Sequence, residues 1–305
     1  MTERLPHLSA LIVDIRGHGN SSSTSSFPPP HNFHTCAQDI FDTLQTLGLL
    51  GNRSPTAVVG HSLGGRLALQ YAHNVVLSSK QQQQQQQQQS SSSSELALHP
   101  PKQIWVLDAV PGQPDPSVHH VLRTISSIPL PIASKSWLAD TLTKEHKMDK
   151  GVAMWMASNL RFMQQQQQQQ HPQPEQQLQP SPKRKQQKPL EWVFNLEIAN
   201  ELVTNFADQD FVPMIHDITT ANTTADANAT THATTGMAPS MVNFVLAGRN
   251  KEWKDEIVSE LQAIPTFGTL PSSLFQMHHL PKAGHWVHVD DLDGLMDVMV
   301  KGLGK

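Results

Sequence analysis

The segment richest in chemistry is Val58-Val59-Gly60-His61-Ser62-Leu63-Gly64-Gly65. It fits the pattern G-x-S-x-G, follows an apolar run and opens a helical pattern, the setting in which this motif makes a tight strand-to-helix turn. Such a turn lifts Ser62 Oγ above the end of a sheet. It also aims the next backbone N–H groups, Leu63 first, at the place where an oxyanion forms. The backbone there is strained, so its neighbours must be small, and Gly60 and Gly64 are expected to provide the room. Serine is a poor nucleophile at neutral pH unless a base takes its proton and an acid orients the base. The candidate base is His285, in Lys282-Ala283-Gly284-His285-Trp286-Val287-His288. With 17 histidines in the chain, position has to decide, and His285 lies between the last predicted strand and the closing helix. His288 is its near competitor and reads as a supporting or surface residue. Two carboxylates compete as the acid. Asp108 ends the third predicted strand, on the rim expected to carry Ser62. Glu252 lies farther along the loop after the fourth strand, Ala247 to Glu252, which contains no Asp. Strand-end position favours Asp108, and the order Ser62, Asp108, His285 suits a triad of this type.

These residues need a scaffold of alternating elements. Short apolar runs predict strands at Ala10–Val13, Thr56–Val59, Ile104–Leu107, Met241–Leu246 and Leu274–Leu280. Helical periods fall at Thr35–Leu47, Leu63–Val75, about Asp255–Gln262 and Leu292–Lys301. Alternation of this kind predicts an α/β fold with a mostly parallel sheet covered on both faces. From about Pro114 to Phe206 the pattern is helical with no clear strand, as in a helical cap. The implied organisation is a core over 1–113, a cap over 114–206 and the rest of the core over 207–305.

Three polar stretches interrupt this pattern, at about 80–99, 164–189 and 219–240. The first holds the glutamine run Gln81 to Gln89 and the serine run Ser90 to Ser94. None has a hydrophobic period, so they read as disordered insertions in surface connections, where added length costs little closure entropy. They account for an apolar fraction of only 37% over 305 residues. Lys183-Arg184-Lys185 reads as part of a solvated insert. The net charge of −4 argues against nucleic acid and against a polybasic membrane patch. A single cysteine, Cys36, excludes a disulfide framework and a cysteine zinc site. No apolar run reaches the ~18 residues of a membrane span. Neither a metal nor an organic cofactor is expected. The sequons at Asn222 and Asn228 carry weight only in a secreted protein, and Met1 to Ala10 shows no secretory signal.

The same residues resemble a known family. The chain is similar to the α/β-hydrolase superfamily and, within it, to the small esterases typified by abhydrolase domain-containing protein 11 and their bacterial relatives. Val13-Asp14-Ile15-Arg16-Gly17-His18-Gly19-Asn20-Ser21 resembles the group's D-x-R-x-H-G-x-S segment. Gly60 to Gly65 resembles G-H-S-M-G-G, Asp108-Ala109-Val110-Pro111 resembles D-I-x-P, and Glu191 to Asn195 resembles the cap segment E-W-R-F-N. Ala283 to His288 matches the group's histidine loop letter for letter. The resemblance implies an α/β-hydrolase fold with Ser62 as nucleophile, Asp108 as acid and His285 as base. It implies small acyl esters or thioesters as substrates and a mitochondrial location, to which the cytoplasm is the alternative. Arg16 and His18 are expected to shape a turn. The group also has strands ahead of the one matched at Ala10, one of them ending in an H-G-x-x-G oxyanion segment. Their absence predicts an N-terminally truncated chain with a gap in its sheet. An inactive scaffold on the same fold, and an acyltransferase on the same triad, are the competing expectations.

Overall fold

A computed structural model describes residues 4–22, 27–86, 99–163, 188–220, 239–264 and 274–304. Most of the three polar stretches lies outside the described residues, as do Lys183-Arg184-Lys185 and both sequons.

The chain divides into two compact units. The first comprises Met1–Ile15, Pro29–Pro114 and Thr204–Lys305. Among the described residues its sheet has four strands in the order β1 (Ala57–His61), β2 (Gln103–Leu107), β5 (Met241–Ala247) and β6 (Phe275–Leu280). All three pairings are parallel. Successive side chains of β2 point to opposite faces, as a pleated strand requires. Ile104 and Val106 enter a core closed by α2 (Leu63–Gln86), α7 (Phe211–Thr220) and α8 (Asp255–Ala263). Trp105 and Leu107 enter a second core against α10 (Leu292–Leu303). A strand buried on both faces must be apolar throughout, which is why Ile104-Trp105-Val106-Leu107 has no polar residue. Trp105 is fully buried, and its indole N–H donates to Gln103 Oε1 at 2.9 Å, so the one polar atom of that side chain is satisfied. Burying each such side chain contributes roughly 1.5–3 kcal/mol.

Helix α1 (Phe33–Thr46) begins two residues before the predicted Thr35 because Asn32 caps it. The Asn32 side chain accepts from Thr35 N–H at 2.9 Å, and Thr35 Oγ1 accepts from Asn32 N–H at 3.2 Å, a reciprocal capping box. Helix α2 runs on past Val75 to Gln86. Glutamine is a good helix former, so the first part of the glutamine run extends a helix already nucleated by packing.

One predicted strand is not formed. Residues 7–15 make no ladder, and Leu11 and Ile12 are 50% and 91% exposed. An apolar run becomes a strand only where a partner edge receives it. Among the described residues β1 pairs on one side only, with β2, and its Val59 is 44% exposed.

The second unit comprises Arg16–Pro28 and Asp115–Val203. It contains α3 (Pro116–Ser127), α4 (Lys135–Lys144), α5 (Lys150–Ser158) and most of α6 (Leu196–Thr204). It is not purely helical, because β3 (Leu160–Phe162) and β4 (Leu190–Trp192) pair antiparallel. Three residues are too few to show a period, so these strands were not visible in the sequence. The sequence places Arg16–Pro28 in the core; in the structure the segment packs within this unit. Gly17, at φ +74°, donates its N–H to Ser21 O at 2.9 Å and accepts from Asn195 N–H at 2.6 Å. His18 stacks on Phe194 with ring centroids 5.9 Å apart. The buried Arg16 donates to Pro28 O at 3.3 Å and lies over the Phe27 ring. These contacts give the segment a turn-shaping role, and they join it to the Glu191–Asn195 stretch.

Candidate active site

Ser62 follows the last residue of β1 and precedes the first of α2. Its φ is +53°, a left-handed conformation that non-glycine residues adopt at a cost of about 1–3 kcal/mol. Its N–H donates to Leu107 O at 2.9 Å, continuing the β1–β2 ladder into the turn. The turn is tight enough that a Cβ on Gly60 would lie 1.9 Å from Gly64 O. A Cβ on Gly65 would lie 2.9 Å from Ala109 Cβ. A Cβ on Gly64 would meet nothing within 4 Å. The expectation that Gly60 and Gly64 make the room is therefore corrected to Gly60 and Gly65. Gly64 contributes the backbone that Gly60 must avoid. Leu63 opens α2, and first-turn N–H groups have no acceptor within their own helix.

Asp108 directly follows β2 with φ +46°, the second left-handed non-glycine residue on this rim. Its N–H donates to Val245 O at 2.8 Å. Its carboxylate is fully buried and accepts four hydrogen bonds. Oδ1 accepts from Ala247 N–H at 2.9 Å and Trp253 Nε1 at 2.6 Å. Oδ2 accepts from Asn250 Nδ2 and from His285 Nδ1, each at 2.8 Å. Burial alone would push the carboxyl up, but the bonds from His285, Trp253, Ala247 and Asn250 outweigh it and hold it below the usual carboxylate range. Asp108 is thus an ionised acceptor. A carboxylate only accepts, so His285 Nδ1 carries the proton of that bond, and Nε2 is the ring nitrogen that it leaves unengaged. Asp108, and not Glu252, takes the His285 ring nitrogen.

The loop that holds Glu252, the competing acid, runs from Ala247 to Glu252 and serves Asp108 instead. Ala247 and Asn250 donate to Asp108, and Trp253 follows directly. Arg66 supports the same rim from α2. Its buried guanidinium donates to Val110 O, to Gly112 O at 2.8 Å and to Phe206 O at 3.1 Å. It also lies 4.1 Å from the Phe206 ring centroid. Burial lowers its pKa to about 10. None of these supporting residues had a signal in the sequence beyond lying near a strand end.

His285 sits before the short helix α9 (Val287–Asp290). Asp290 Oδ2 accepts from Gly284 N–H at 2.7 Å and lies 3.5 Å from Arg249 Nη2. His288 lies edge-on to His61, with centroids 5.1 Å apart. Among the described residues no hydrogen bond joins Ser62 to His285.

A parallel sheet whose β1–α2 turn holds a left-handed serine, with a buried aspartate hydrogen-bonded to a histidine on the same rim, defines a class. The alpha/beta hydrolase family model matches residues 2–298, and the chain belongs to that family. A match over that range lends no support to the expectation of missing N-terminal strands. No curated protein sequence matches the chain. The fold is similar to the solved structure of E-2-(acetamidomethylene)succinate hydrolase, with TM-score 0.57 and 13% identity over 96% of this chain and 80% of that one. It is also similar to a peroxisomal alpha-beta-hydrolase of Saccharomyces cerevisiae, with TM-score 0.51 and 12% identity over 95% of this chain and 64% of that one. An esterase of M. tuberculosis matches with TM-score 0.50 and 15% identity over 96% of this chain and 75% of that one. Identities this low establish the fold alone. Among the described residues no helix is long and apolar enough to cross a membrane, and no cluster of His, Cys, Asp and Glu is arranged to hold a metal ion.

Proposed function

We propose that this protein is a serine hydrolase that cleaves carboxylic esters or thioesters of small acyl substrates through an acyl-enzyme. The observation that carries the reading is the Asp108–His285 hydrogen bond of 2.8 Å on the rim where Ser62 holds its left-handed turn. Ser62 Oγ attacks the acyl carbonyl while His285 Nε2 accepts its proton. Asp108 keeps the proton of the neutral ring on Nδ1 and stabilises the imidazolium as it forms. Leu63 N–H, at the positive end of α2, donates to the tetrahedral oxyanion. His285 then returns the proton to the leaving alcohol or thiol. Water, activated by the same histidine, releases the acid. The preference for acyl esters rests on the motif resemblance to the small esterases. Serine as nucleophile, in place of aspartate, disfavours dehalogenase and epoxide-hydrolase chemistry.

A fluorophosphonate probe tests the reading by forming a covalent adduct on an activated serine. Wild-type protein is expected to label and to release p-nitrophenol from p-nitrophenyl acetate. Ser62→Ala should lose labelling, and turnover should fall by about 10⁶. Equal labelling of both proteins would overturn the assignment. The competing reading, a non-catalytic scaffold, is favoured by the absence of a Ser62–His285 hydrogen bond among the described residues. Catalytic hydrogen bonds are often long before substrate binds, so Ser62-dependent turnover would reject the scaffold. Product analysis with an added alcohol or thiol separates hydrolysis from acyl transfer.

A further inference from the structure

His61 is the residue before the proposed nucleophile and the last of β1. Its Nε2 lies 2.6 Å from the carbonyl oxygen of His285. A carbonyl only accepts, so Nε2 carries a proton and donates it. The two rings lie against each other, with centroids 4.8 Å apart and planes inclined at 44°. The bond joins the nucleophile's strand to the base's loop across 224 residues of sequence. Together with the Asp290–Gly284 bond of 2.7 Å, it pins the backbone on both sides of His285. The Asp108 bond fixes the ring, and Nε2 is the atom left over.

We propose that His61 is a positioning residue for the base, its Nε2–H holding the His285 carbonyl so that the imidazole keeps its aim towards Ser62. The inference rests on the triad reading above and adds to it a role for the variable residue of the G-x-S-x-G motif.

The ring must stay uncharged for this. A cation here would oppose the imidazolium that forms on His285. The titratable and charged groups acting on His61 are His285, His288 and Asp108. Burial, the largest influence, lowers its pKa to about 4, against the raising effect of the His285 carbonyl bond. His61 therefore stays neutral through the range in which a histidine base works.

Three variants test the role. His61→Phe keeps a ring and removes the donor. His61→Gln keeps an N–H donor of similar reach, and His61→Asn keeps the donor on a shorter arm. For p-nitrophenyl acetate, kcat of His61→Phe is expected to fall about tenfold, the scale of one lost hydrogen bond. KM should change less than about twofold, and the rate of fluorophosphonate labelling should fall in parallel with kcat. His61→Gln should recover most of both. If His61→Phe does not fold, His61→Asn takes its place, with slowed labelling expected. Wild-type kcat and labelling rate in the variant that lacks the contact would overturn the proposal. So would a His61→Gln no better than His61→Phe, because a purely structural role would not be rescued by a donor. Labelling that survives Ser62→Ala would overturn the triad reading and this inference with it. Labelling lost in Ser62→Ala but unchanged by removing the His61 contact would overturn this inference alone.

Discussion

Asp108 and His285 share one hydrogen bond, yet the protein holds them by different means. The Asp108 side chain is 0% exposed, while that of His285 is 43% exposed. Asp108 is held through its side chain by donors from Ala247, Asn250, Trp253 and His285. His285 is held chiefly through its backbone, by His61 and Val287 N–H at its carbonyl and by Asp290 at the preceding N–H. The difference follows from the work proposed for each. An acid that only orients and stabilises gains from a dry, saturated setting, in which its charge is fixed. A base that accepts and returns a proton needs one ring nitrogen unbonded and open to substrate. Its loop must therefore be fixed without engaging that atom.

Three measurements sharpen or break the contrast. The largest effect is expected for Asp108→Asn, which preserves shape but removes the ionised acceptor. Activity on p-nitrophenyl acetate should fall by about 10⁴, the scale of a wrong tautomer in such a triad. A fall of tenfold or less would mean that His285 does not depend on its buried partner.

The second concerns pH. In the folded protein His61 takes up a proton only near pH 4, against about 6.5 for the free side chain. The unfolded chain binds that proton first as pH falls, so stability should decline from pH 6.5 to pH 4, by at most about 3 kcal/mol. Asp108 acts lower on the scale. Its depressed carboxyl contributes stability above the usual carboxylate range, and that contribution is lost as pH falls through the depressed value. Denaturant titrations at several pH values should show a shallower slope between pH 6.5 and 4 in His61→Gln. An unchanged slope would place the titration elsewhere.

The smallest effect is expected for Trp253→Phe. It removes one of the four hydrogen bonds to the buried carboxylate and keeps most of the ring's packing. Stability should fall by roughly 2 kcal/mol, as for a bond to a charged group, with kcat reduced far less than in Asp108→Asn. A loss of activity as large as that of Asp108→Asn would show that the acid's setting is not saturated, and that each donor is needed to hold the charge.

Much of the scaffold could be read in advance. The β1 run, the fully apolar β2 and the turn after Val59 are demands met by adjacent residues, so period and spacing display them. The elbow was legible for the same reason, apart from the role given to Gly64. The motif's glycines are not equivalent: Gly60 and Gly65 face atoms that a Cβ would strike, and Gly64 does not. Ala10–Val13 forms no ladder although β1 leaves one edge unpaired among the described residues, because an apolar run by itself does not bring a strand to a partner.

What the amino-acid order alone determined here is local: a strand, a tight turn around Ser62, a helix, and an acid and a histidine at later strand ends. What only the tertiary structure decided is which distant groups meet them. Ala247, Asn250 and Trp253 reach Asp108 across 139 to 145 residues, and His61 reaches His285 across 224. Short-range sterics leave a pattern in neighbouring letters. Hydrogen bonds closed across the sheet depend on where each strand end comes to rest, and a linear sequence carries no period for that.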